Sequence, residues 1–234
     1  MEENRPFSFE QWITYAFNHP VSECGKPGWY HDMDYDGEWW NPTDYPETTI
    51  DYLASLFENA PTVLTLYSDA QVNQGFWFLV NNSCSDHMFA LVDPSVPWPK
   101  RKHCLSAMFT LFEKFFAPRC SSHLSHLDTM ETDTSMVSSL NMVCYMWWDL
   151  LPIYGQPEKP DFSEFDATCL EVMRLTLNLD SDACRESALH GLGHWRYVYP
   201  QEVQAIIDAW LARQQEVSEE LKAYAFAARR GRVL

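Results

Sequence analysis

The chain has 234 residues, a formal net charge of −17 and 46% hydrophobic residues. That length buries a sizeable core without disulfide or metal staples. A surface this acidic repels nucleic acid, whose binding relies on Lys and Arg displacing counterions. No run of 18 apolar residues occurs, so no membrane contact is expected. The MEENRPFSFEQW start lacks the basic and apolar regions of a signal peptide.

Seven cysteines, an odd number without a CxxC pair, read as thiols of a reducing, cytoplasmic compartment rather than a disulfide framework. Aromatics reach 15%, ten of them Trp, which predicts an aromatic-heavy core. Charge is uneven along the chain. Residues 1–51 hold eleven acids and two bases, whereas residues 213–234 hold five bases and three acids.

In chain order, Phe9, Trp12, Ile13, Ala16 and Phe17 keep helical spacing, and His19-Pro20 stops the run. Gly25, Pro27, Gly28, Gly37, Pro42 and Pro46 then predict a loop, held in place by Trp29, Trp39 and Trp40. Ile50, Leu53, Ala54 and Phe57 form one stripe, and Ser68-Asp69 opens a helix to Val80. Residues 62–67 are ambiguous between helix and strand, and Pro94, Pro97 and Pro99 mark a break. Leu105 to Phe116 is a long apolar stripe that Ala117-Pro118 ends, and 119–138 reads as a polar loop or a short helix. A further stripe runs from Leu140 to Leu151, followed by a Pro/Gly linker at 152–160. Asp161 and Glu164 have capping-box spacing before a helix over 162–177. Ser181-Asp182 opens a helix to Trp195, and one long helix is predicted from Val203 to Tyr224. Three segments result: an acidic, aromatic segment 1–47, a helical array 48–215, and a helix end with basic tail 216–234.

The pairs 50–57/69–80, 105–116/140–151 and 162–177/182–195 read as stacked units, since no pair buries its apolar face alone. Ser181-Asp182-Ala183 leading to Ala188, Leu189 and Leu192 echoes Ser68-Asp69-Ala70 leading to Gly75, Phe76 and Leu79. On these residues the chain resembles HEAT-like and armadillo-like α-solenoids over roughly residues 48–215. The resemblance implies an all-α, irregular HEAT-like stack of antiparallel helix pairs that binds protein and catalyses nothing.

Three patterns carry candidate chemistry. Asp32, Asp34 and Asp36 with Gly37 match the first half of a calcium loop, but the twelfth position, which should be Glu, is Thr43. Cys120, His123 and His126 place three soft ligands within seven residues, with Asp128 or Cys104 as a possible fourth. His190 and His194 stand four apart on one helical face, as in HExxH metal sites, although Gly191 replaces the general-base Glu. No P-loop, GxGxxG or GxSxG is present, and no cofactor is expected.

The function expected from these observations is a protein-binding module, of the kind an immunity protein uses to neutralise a basic partner. Its contact surface is Asp32, Asp34, Asp36, Glu38, Trp39, Trp40, Asp44, Tyr45 and Glu47, aromatic anchors rimmed by charge. The alternatives are a metal-dependent enzyme built on the His and Cys clusters, and a helical domain binding a small ligand near Trp147, Trp148 and Trp195.

Overall fold

The computed structural model describes residues 7–21, 28–32, 34, 37, 39–129, 132–133, 136–213 and 217–233. The fold is all-α, with no strand among the described residues. Helix α1 is Phe9–Phe17 and α2 is Pro46–Val63, which absorbs part of the segment that was ambiguous in sequence. Helix α3 is Asp69–Val80 and α4 is Trp98–Leu111. A π-turn at Phe112–Phe116 joins α4 to the last turn, α5, Ala117–Arg119. Then come α6, Asn141–Leu150, α7, Ser163–Leu177, α8, Asp182–Trp195, α9, Pro200–Leu211, and α10, Glu219–Ala228.

Local chemistry sets most of these boundaries. Ser8 with Gln11, and Ser68 with Gln71, form reciprocal capping boxes that satisfy two free N–H groups each. Prolines at 46, 99 and 200 sit in first turns, where a missing N–H costs nothing. Three sequence expectations change. The prolines at 97–99 start α4 instead of merely breaking the chain. Asp161 and Glu164 do not cap α7, because Pro160–Phe162 forms a tight 3-10 turn ahead of it. Glu164 instead accepts from Trp98 Nε1 at 2.6 Å and Lys102 Nζ at 3.0 Å. Finally, the predicted helix over 203–224 is two helices. Ser218 is the non-helical cap residue, and its hydroxyl accepts from Leu221 N, which begins α10 afresh.

One aromatic core runs through the molecule. The rings of Phe57, Phe76, Phe112 and Phe116 lie 5.6–5.8 Å from Trp147, all edge-on. Such pairs add about 0.5–1.5 kcal/mol each beyond their buried area. Helix α1 joins this core by lying on α3, where Gly75 leaves the space that the Phe17 ring fills. Trp12 donates to the buried His87 Nε2 at 3.1 Å, so its indole N–H is satisfied.

The most extensive packing is α2 on α4, α6 on α8, α7 on α8 and α4 on α7. Of the pairs read from sequence, α7 and α8 are extensive neighbours. Helix α8 also meets α9 and α10, so most of its length is enclosed. Residues Ala183 to Gly193 are buried without interruption. Buried polar groups on such a helix are costly unless paired. Arg185 Nη1 and Nη2, Glu186 and His190 find partners, whereas Ser187 Oγ has none among the described residues.

Candidate metal centre

Helix α8 carries Arg185, Glu186 and His190, all buried. Arg185 donates to Asp182 and Asp180, both at 3.0 Å. The Glu186 carboxylate accepts from Ser125 N at 2.9 Å, and from His126 N and Nδ1, both at 2.7 Å. His190 is 1% exposed, and its two ring nitrogens face partners on different elements. Its Nδ1 is 2.8 Å from Tyr224 Oη, and its Nε2 is 3.2 Å from His194 Nε2. The four-residue spacing puts both imidazoles on one face, one turn apart.

Asp149, at the C-terminal end of α6, brings a carboxylate to the same place. Its Oδ1 lies 3.6 Å from His194 Nε2. One ligand atom from each of Asp149, His190 and His194 falls within 4.8 Å of the other two. Zinc held at Zn–N distances of 2.0–2.1 Å in a tetrahedron sets adjacent ligand atoms about 3.3 Å apart. The two edges that meet at His194 Nε2, 3.2 and 3.6 Å, are close to that spacing. His190 forms the buried floor, while the side chains of His194 and Asp149 are 43% and 44% exposed. The set therefore opens to solvent on one side.

Electrostatics favour ligation. Burial, helped by the neighbouring His194 and His126, lowers the His190 pKa to about 3. The ring is therefore neutral at physiological pH, the form that binds metal. Gly191 and Gly193 reflect packing. A Cβ at Gly191 would lie 2.6 Å from Trp148 Cγ, and one at Gly193 would lie 2.5 Å from the Val233 methyls. Bare backbone at these two points lets α6, α7 and Val233 close on α8.

The other sequence candidates lie elsewhere. Cys120, His123 and His126 do not converge. His123 Nε2 pairs with Asp128 Oδ1 at 2.5 Å, His126 serves Glu186, and Cys120 lines a polar cavity with Ser121, Ser181 and Arg185. Of the acidic surface, Asp36 and Glu38 lie outside the described residues. Asp32 Oδ1 accepts from Asp34 N in a local turn, and Glu47 pairs with Lys100. Trp40 is buried against Phe7, Tyr45 and Tyr52, whereas Trp39 is 55% exposed and Asp44 is exposed. Trp147, Trp148 and Trp195 are all core side chains. No helix among the described residues is long and apolar enough to cross a membrane.

Sequence reasoning missed Asp149, Tyr145, Tyr224 and Glu186. Tyr145 Oη lies 3.2 Å from Tyr224 Oη, and the Tyr224 ring stacks on His126 at 4.0 Å. These residues come from α6, α8, α10 and the 125–127 turn, so only the folded chain brings them together. Comparison of the chain with family models, with curated proteins and with solved structures finds no match.

Proposed function

We propose that this protein is a metal-dependent enzyme of the hydrolytic kind, with one zinc-type divalent ion held by His190, His194 and Asp149. The observation that carries the reading is the 3.2 Å approach of two imidazole Nε2 atoms with a carboxylate beside them. Three protein ligands would leave a fourth position open, and an ion held by His190, His194 and Asp149 would supply Lewis acidity to a water bound there. The exposure of His194 and Asp149 gives that position access to substrate. The net charge of −17 also draws divalent cations toward the surface.

The test is elemental analysis and zinc calorimetry on protein prepared without a histidine tag. One zinc per chain is expected, with binding lost in His194→Ala. Binding that is absent, or equal in the parent and in His190→Ala/His194→Ala, would overturn the reading.

A second reading, binding of a basic protein through the acidic N-terminal face, is favoured by the exposure of Trp39 and of Asp32, Asp34 and Asp44. It needs a basic partner whose capture weakens with salt and with Trp39→Ala. Capture unchanged by that substitution removes Trp39 from the interface.

A further inference from the structure

The metal reading leaves open what holds His190 in the right tautomer. A ligand Nε2 must present its lone pair, so the proton must sit on Nδ1. The group facing Nδ1 is Tyr224 Oη at 2.8 Å, and that hydroxyl also lies 3.2 Å from Tyr145 Oη. All three side chains are at most 6% exposed, so water does not compete strongly for these bonds.

We infer that Tyr224, from the C-terminal helix, is the positioning residue of the metal centre, and that Tyr145 is its acceptor. This inference rests on the metal reading above. The proton order it requires is definite. His190 Nδ1–H donates to Tyr224 Oη, and Tyr224 O–H donates to Tyr145 Oη. The reverse order would place a proton on His190 Nε2, pointing into the site and closing it to metal. Nothing is oxidised or consumed, and the arrangement decides only which nitrogen carries the proton. It also fixes the ring. The Tyr224 side chain is clamped by its stack on His126, which the buried Glu186 carboxylate holds in turn. The α10 helix is thereby part of the site, although its sequence carries no metal ligand.

Groups that orient a ligating histidine through its second nitrogen usually matter by roughly 10- to 100-fold in metal affinity. Tyr224→Phe removes the hydroxyl and keeps the ring that stacks on His126. Zinc affinity should fall by roughly that factor. The 15N spectrum of the His190 ring should move from the Nδ1–H tautomer in the parent toward a mixture in the variant. A purely structural Tyr224 would lower the melting temperature but leave the tautomer and the affinity of the folded fraction unchanged. Tyr145→Phe, read in the same way, should weaken binding in the same direction and covers the case in which Tyr224→Phe fails to fold. Parent protein that binds zinc beside Tyr224→Phe or Tyr145→Phe protein that binds it equally well would overturn this inference and leave the metal site standing. Parent protein that binds no zinc would overturn the metal reading and this inference with it.

Discussion

At the scale of single residues, the central fact is that α8 buries charge and satisfies it. Glu186 is fully buried, yet two backbone N–H groups and an imidazole point at its carboxylate. Removing one member of such a set strands the others without water. Glu186→Ala should therefore cost about 3 kcal/mol in urea unfolding. A loss below about 1 kcal/mol would mean that the turn at 125–127 re-pairs with solvent. His87 makes a pH prediction. Full burial lowers its pKa from 6.5 to about 3, so the folded state refuses a proton that the unfolded chain accepts. The stability this gives is complete above about pH 6.5 and is lost as pH falls toward 3, by at most about 1.4 kcal/mol per pH unit. Urea midpoints should drop between pH 7.5 and 5. His87→Gln, which keeps an acceptor for Trp12 Nε1, should flatten that drop, and an equal drop in the variant would assign it to other groups.

Residue-level legibility was partial for a physical reason. His190 and His194 are visible in sequence because a four-residue spacing fixes their common face. Asp149 is not, because it is one of 33 acidic residues and nothing local marks it. Tyr145, Tyr224 and Glu186 owe their roles to contacts across 34 to 79 positions of chain, which no periodicity reports.

At the scale of elements, two glycines and a serine decide how the helices meet. Gly191 lies against Trp148 and Met173, and neither the indole Cβ nor its ring can retreat from a fully packed core. Gly191→Ala gains intrinsic helix propensity but overpacks this contact, so a net loss of about 1–3 kcal/mol is expected in thermal unfolding. A stabilised variant would show that α6 and α8 can separate freely. Ser218 turns one predicted helix into two, and its Ser-Glu-Glu start was legible as a cap had the apolar stripe not continued across it. Asp161 and Glu164 show the opposite failure, where correct cap spacing lost to the partners Trp98 and Lys102 that the fold brings within reach.

At the scale of the whole molecule, the all-α class and the aromatic core were legible, since stripes at helical spacing and fourteen Phe with ten Trp leave little alternative. Which helix packs on which was much less so. An apolar stripe states that a face is buried, not against what. Thus α2 finds α4 and α6 finds α8 as their most extensive neighbours, and α8 becomes the enclosed helix around which the candidate site is assembled. That placement gives the metal reading its strength, because a buried histidine on an enclosed helix is held in place while its two co-ligands face solvent.

The most direct test is a cobalt(II) titration of the untagged parent beside His190→Ala/His194→Ala. The parent should take up one cobalt per chain and develop the intense visible bands of a low-symmetry four- or five-coordinate site, which added zinc then displaces, while the variant stays colourless. A parent that remains pale pink and binds no more cobalt than the variant would contradict the metal centre itself.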